Sequence, residues 1–344
     1  MTQRSFASDN NAPAAPEILE AVLRANENDA PAYGADDWTA RATERFRGHF
    51  GPATEVFFAF NGTGANVAAL SALLAPWQAV LCPASAHLNT DECGALERFA
   101  GSKVIAIPTE DGKLVPSALE PYLHAEKEVH FVQPRVVSIS QATEFGGVYE
   151  IEELRELCAF AHDHDLLVHV DGARIANAAA ALGVTPRDIS VAAGVDVLTF
   201  GGTKNGLLFG EAFLFFDPGV HAGAAPFVQK QAMQLASKMR YVAAQFEALL
   251  ADDLWLRNAT HANAMTSRLL ERIGGISGIR VTRPVRCNAI FAAMDREAIT
   301  RVQSDYPFLV WNDRIPEVRW MTHWATAAED VDAFADALQR AISA

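Results

Sequence analysis

What the chain has least of narrows its possible roles first. Its 344 residues include four cysteines, Cys82, Cys93, Cys158 and Cys287, with no C-x-x-C pair among them. That spacing excludes a disulfide framework or a zinc finger and reads as reduced, mostly buried thiols. Basic residues are also scarce: 28 Lys and Arg stand against 42 Asp and Glu, a formal net charge of −14. Such a field repels nucleic acid and anionic membranes, and no cluster of Lys and Arg reverses it locally. No apolar run approaches the roughly 20 residues that a membrane span needs, and the start, MTQRSFASDNNAPAAPEI, has no apolar signal core. No internal repeat or low-complexity linker interrupts the chain. These absences lead us to expect an acidic, soluble, cytoplasmic protein that binds neither nucleic acid nor membrane.

What is present points to a layered α/β fold. Half of the residues are apolar, enough for a sizeable core, and the length suits about two domains. Short apolar runs recur: VFFAF (56–60), AVLC (79–82), VIAI (104–107), VVSIS (136–140), LLVHV (166–170), VLTF (197–200) and AFLFF (212–216). Helical patterns such as ANVAALSALL and IEELRELCAFAH lie between several of them. Near-continuous apolar strands alternating with helices predict a mainly parallel sheet covered on both faces. Past about residue 225 a long helical stretch leads to a smaller α+β segment ending in VRWMTHW and a last helix, EDVDAFADALQRAI. The reading is a large domain over 12–245 and a small domain made of 1–11 and 246–344.

Four motifs carry chemistry. In NGTGANVAAL, Gly62, Thr63 and Gly64 follow a strand and open a helix, where free N–H groups and a partial positive charge suit a phosphate. Val67 stands where a dinucleotide fingerprint needs its third glycine, so the stretch is either a phosphate cradle or an ordinary tight turn. In HVDGARIANA a buried strand ends in Asp171, with Arg174 three residues on. Strand ends are where α/β sheets collect ligands, and the competing role for Asp171 is to cap the next helix. His87, after AVLC, sits at the same edge as either a structural or a catalytic histidine. In VLTFGGTKNG a single lysine, Lys204, is flanked by glycines that would let the backbone pass close to a bound ring; a solvated turn lysine is the alternative. A metal cluster of His162, His164, His169 and Asp171 fits no common zinc signature, and no metal is expected. Phosphate cradle, histidine, strand-end Asp and Lys, in that order, meet the needs of pyridoxal 5'-phosphate: a helix N-terminus for the phosphate, an anion for the pyridinium nitrogen and an amine for the aldehyde.

Taken together, SDN near the start, AYGADDWT, NGTGAN, HLNTDECGALE, HVDGARIANA, FGGTKNG and VRWMTHW resemble the threonine aldolase family, of the low-specificity L-threonine aldolase and phenylserine aldolase type. These are enzymes of the beta-eliminating lyase branch of fold type I. The resemblance implies an aspartate aminotransferase-like fold and retro-aldol cleavage of a β-hydroxy-α-amino acid to glycine and an aldehyde. It implies pyridoxal 5'-phosphate in a Schiff base on Lys204, Asp171 at the ring nitrogen, Arg174 near the phenolic oxygen, His87 on the ring face, and Gly62 and Thr63 with nearby backbone at the phosphate. Ser8 and Arg319 would clamp the substrate carboxylate. Tyr33 and Arg240 would be delivered to the active site of a neighbouring subunit, in a homodimer or homotetramer. One departure stands out. Many members carry a histidine in the loop before a Gly-Gly pair, whereas SISQATEFGGVY has none; Gln141 and Thr143 lie nearest its place, and His87 or a water it holds becomes the candidate for proton transfer. The alternatives are β-elimination or racemisation on the same scaffold, a nucleotide-binding protein without pyridoxal phosphate, or a silent scaffold.

Overall fold

The structure of the protein, a computed structural model, describes residues 4–123, 128–221 and 223–343. All seven apolar runs become strands of one sheet: β1 (Glu55–Ala59), β2 (Gln78–Pro83), β3 (Lys103–Ile107), β4 (Gln133–Ser140), β5 (Leu167–Gly172), β6 (Val197–Gly201) and β7 (Glu211–Phe215). Their spatial order is β1-β7-β6-β5-β4-β2-β3. Pairing is parallel from β3 through β6, and β7 runs antiparallel to both β6 and β1.

Period-2 alternation sends successive side chains of the central strands to opposite faces, and both faces are covered. Val137, Ile139, Val168, Val170, Leu198 and Phe200 enter one core, with Phe46 and Phe246. Val80, Val136, Leu167, Val197 and Phe213 enter the other, under the helix Gly62–Ser71. Full burial of each such side chain stabilises by about 1.5–3 kcal/mol, so the sheet is the rigid element on which strand-end residues are mounted. The helix Ile151–Asp163 starts at a reciprocal capping box of Glu150 and Glu153, which satisfies two otherwise orphaned amides.

The C-terminal part forms a second, four-stranded antiparallel sheet from β8 (Arg280–Val281), β9 (Ala289–Ala293), β10 (Leu309–Asn312) and β11 (Glu317–Met321), in the order β10-β11-β9-β8. Its core gathers Ile290, Val318, Trp320, Phe334 and Leu338 together with Phe6. Phe6 stacks on Phe334 at 4.1 Å between ring centroids, and its backbone bonds Pro307 and Met321. Residue 245 falls inside the helix Arg240–Leu249, where Gln245 accepts from the Leu208 amide. The change from one core to the other comes further on, along the helix Leu254–Ile273: Leu254, Trp255 and Ala259 belong to the large core, Leu269 and Ile273 to the small one. Among the described residues no helix is long and apolar enough to cross a membrane.

Candidate active site

Parallel pairing brings the ends of β4, β5 and β6 level, with Ser140 opposite Asp171 and Asp171 opposite Thr199. Beyond those ends lies a cleft of about 420 Å³ lined by Gly62, Asn66, His87, Glu144, Asp171, Arg174 and Lys204, among others. Four of the sequence motifs therefore meet in one place.

Lys204 sits in a single 3₁₀ turn, Thr203–Asn205, immediately after β6. Asn205 locks that turn by donating to the Trp255 carbonyl at 2.9 Å and accepting from Asn258 at 2.8 Å. Burial lowers the Lys204 pKa, and the Arg174 charge lowers it further, which favours the nucleophilic neutral amine. The flanking glycines have a packing reason that the sequence did not suggest. A Cβ on Gly201 would collide with the Ala173 backbone, and one on Gly202 with Leu207 and the Gly210 carbonyl. Gly206 has φ +108° and faces Asn258. They admit close packing of the chain on itself.

Asp171 accepts from the Ala173 amide at 2.9 Å and from Asn66 Nδ2 at 2.9 Å. It ties the turn after β5 but does not cap the following helix, whose N-cap position is Arg174 and has no side-chain bond. Burial alone would raise its carboxyl pKa; the Lys204 ammonium and the Asn66 bond more than offset that and leave it lowered, so Asp171 is an anion. Asn66 also donates to Glu92 at 2.9 Å, and Glu92 holds His87 Nδ1 at 2.9 Å, so a line of buried polar groups joins Asp171 to His87. The Glu92 bond raises the His87 pKa against the opposing effect of burial.

Behind Arg174, next to the cleft, the N-terminal segment and the small sheet meet. Arg174 makes a two-pronged ion pair with Asp9, at 2.7 and 2.8 Å. Burial pushes Asp9 up, and the Arg174 guanidinium outweighs it, leaving the carboxyl at about 2. Arg319 on β11 donates to the Ala7 carbonyl at 3.3 Å, lies 5.0 Å from the Trp311 ring centroid, and keeps its buried Nε unpartnered. Burial and the Arg174 charge lower its pKa to about 10. Ser8 is next in the chain to Ala7, and its side chain accepts from the Asn10 amide at 3.2 Å.

The remaining expected residues lie elsewhere. Asn61 caps the helix Gly62–Ser71 by accepting from Gly64 at 2.8 Å, while Thr63 and Gly64 line an adjoining open cleft into which Gln234 packs. Tyr33 and Arg240 are not in the cleft: Tyr33 is 53% exposed with Lys230 over its ring, and Arg240 bonds the Asn28 carbonyl. The histidines once considered for a metal are apart, His162 on Asp196, His164 on the Phe160 carbonyl, and His169 inside the sheet between Ser138 and Thr199. Gln141 and Thr143 both serve the backbone: Gln141 makes two 3.0 Å bonds to Tyr149, and Thr143 bonds Gly147. Sequence reasoning missed Asp9, Asn66, Glu92 and Glu144, although all four lie inside quoted stretches.

The fold is shared with solved enzymes of the aminotransferase type: an aspartate aminotransferase of Thermus thermophilus matches at a TM-score of 0.69 and 16% identity, covering 98% of this chain and 90% of that one. A threonine aldolase of Leishmania major matches at a TM-score of 0.93 and 31% identity, covering 98% and 99%. A low specificity L-threonine aldolase of Pseudomonas aeruginosa is 44% identical over 333 residues, 95% of each chain. Another, of a Pseudomonas species, is 42% identical over 351 residues and spans 100% of both. Residues 5–297 match the family described as Beta-eliminating lyase. The chain belongs to this family of lyases, among its threonine aldolases, and family and fold together imply pyridoxal phosphate.

Proposed function

We propose that this protein cleaves L-threonine, L-allo-threonine or a related β-hydroxy-α-amino acid such as phenylserine to glycine and an aldehyde, with pyridoxal 5'-phosphate attached to Lys204. The observation that carries the reading is one cleft holding an amine of lowered pKa beside a buried anion, Asp171, in a chain so similar to low specificity L-threonine aldolases.

The residues fit the cofactor. Lys204 offers the amine for its aldehyde, Asp171 the charge for its ring nitrogen, His87 an aromatic face, and Arg174 a donor for its phenolic oxygen. The amide of Gly62, which lines the cleft, and that of Thr63 beside it stand at a helix N-terminus and offer donors to its phosphate, while Asn61 caps the Gly64 amide and Gln234 fills the space at Gly64. Polar atoms at the cleft wall that are buried and unpartnered, Asn66 Oδ1, Glu92 Oε2 and Glu144 Oε2, call for a polar occupant. When bound, pyridoxal phosphate supplies an electron sink for the pair released at Cα.

The protein's own groups do the rest. Arg319 and Ser8 hold the substrate carboxylate, and a carboxylate fixed on two sides restricts rotation at Cα, which selects the bond that breaks. Asp171, hydrogen-bonded by Asn66 and the Ala173 amide, would hold a proton on the ring nitrogen. Glu92 fixes the His87 ring so that its face stays turned to the cleft.

Tyr33 and Arg240 complete the site of a neighbouring copy in a homodimer or homotetramer. The exposed Leu23, Phe60, Phe227 and Met233 support that reading, as apolar surface awaiting cover. Four free thiols support a reducing, cytoplasmic setting.

The test is direct. The purified protein should be yellow, lose that colour on borohydride treatment, and release glycine plus aldehyde from threonine. Pyruvate from serine or cysteine without threonine cleavage identifies a β-eliminating lyase instead. A colourless protein that takes up no pyridoxal phosphate sinks both.

A further inference from the structure

The loop that lacks a histidine, 141–147, is pinned at its base. Gln141 is bonded twice to Tyr149, Thr143 accepts the Gly147 amide through its side chain and pairs with it through the backbone, and Gly146 closes the turn at φ +75°. These bonds fix the intervening residue, Glu144, over the cleft. Its Oε1 accepts from Ser140 Oγ at 2.5 Å and from the His87 amide at 3.1 Å. Its Oε2 is buried, has no partner, and belongs to a residue that lines the same cleft as Lys204, Asp171 and His87. A carboxylate anchored through one oxygen, with the other unpartnered in a residue that lines the cleft, has the form of a general base.

We propose that Glu144 takes the proton of the substrate's β-hydroxyl group, the task for which this chain has no loop histidine. His87 is poorly placed for it, since its Nδ1 is committed to Glu92 and the same bond favours its protonated form. The groups that face Glu144 are Asp171, His87, Lys204, Cys82 and Tyr149. Burial, with the Asp171 charge in support, raises its pKa toward the working range of a base, against the lowering effect of its Ser140 and amide bonds.

The proton and electrons balance. The hydroxyl O–H bond breaks as an O–H bond forms on Oε2. The freed pair on oxygen becomes the second bond of the aldehyde as Cα–Cβ breaks. A proton from solvent joins the pair left at Cα, and Glu144 returns its own proton to solvent. The sum is substrate to aldehyde plus glycine, with no other reactant.

This inference rests on the aldolase reading, and the experiment separates the two. Three quantities are measured on the holoenzyme and its Glu144→Gln variant: pyridoxal 5'-phosphate uptake by absorbance, threonine cleavage, and exchange of the glycine Cα proton in heavy water by NMR. Glycine has no β-hydroxyl, so a base acting there leaves exchange and uptake unchanged. Cleavage should fall by roughly 10²-fold or more, the usual share of a general base. A loss of less than about tenfold overturns the proposal, as does an equal loss of cleavage and exchange. If the wild-type protein does not cleave threonine, it is the aldolase reading that fails. Should Glu144→Gln not fold or take up cofactor, Glu144→Asp decides: drawing the carboxylate back should slow cleavage alone, and an unchanged rate overturns the assignment.

Discussion

On the large-sheet side of the cleft, Asp171 and Lys204 stand at the ends of adjacent paired strands, each within a turn closed by local bonds. On the small-sheet side, Arg319 is held by a carbonyl of the N-terminal segment and an indole face, and a buried anion whose charge acts on it, Asp9, comes from a stretch more than 300 residues away in the chain. The first side is a continuation of secondary structure. The second exists only because Phe6 docks into the small core and carries Ser8 and Asp9 with it. On the proposed function, the groups for the chemistry are mounted on the rigid element and those for substrate recognition on an assembly of separate segments.

Four experiments probe that contrast, from the largest effect to the smallest. Lys204→Ala removes the one amine in the lining, and threonine cleavage should fall by at least about 10³-fold with the borohydride-sensitive colour lost and far-UV circular dichroism unchanged. Retained activity would move the chemistry off the large-sheet side altogether. Asp9→Ala leaves the Arg174 guanidinium buried and unpaired, at a cost of about 3–5 kcal/mol in urea denaturation. Because the Asp9 carboxyl is depressed to about 2, its stabilising contribution is present above the ordinary carboxylate pKa and is lost as pH falls through about 2; Asp9→Asn should flatten that part of the acid stability curve. Trp311→Leu strips the indole from Arg319 and should raise KM for threonine by several-fold with kcat nearly unchanged, consistent with roughly 0.5–1 kcal/mol for such a contact. Equal falls in kcat and kcat/KM would place Arg319 among the groups that act only in the transition state. Glu92→Gln turns the charged acceptor of the His87 hydrogen bond into a neutral one, so the imidazole should titrate at lower pH by NMR. No movement would show that the Asp171 charge, not Glu92, sets it.

Much of the large-sheet side was legible because local rules write it. Each of the seven strands is a short apolar run between turn residues, and Asp171, Lys204 and Gly62 stand directly at strand or helix ends, where α/β sheets gather ligands. The small sheet was less legible. β8 has two residues and both are exposed, and β10 begins with two exposed residues, so neither shows a burial pattern for periodicity to detect. Asp9 was passed over within SDN because a lone acidic residue near a chain start has no local reason to be buried. Glu144 was passed over beside Gln141 and Thr143 because all three are polar and adjacent; only their partners reveal that two hold the loop and one faces the cleft. The flanking glycines of Lys204 were legible, but the backbone-to-backbone approach between Gly201 and Ala173 leaves no trace in spacing.

The sequence by itself determined the parallel sheet, the order of the motifs along it and the membership of Lys204 and Asp171 in a common layer, because period-2 burial and strand-end turns depend on residues only a few positions apart. Only the tertiary structure decided which charges are paired, which carboxylate is left open, and what closes the far side of the cleft. Pairing and burial are set by distances between segments such as 9 and 174, or 140 and 144 against 87, and those distances are products of packing.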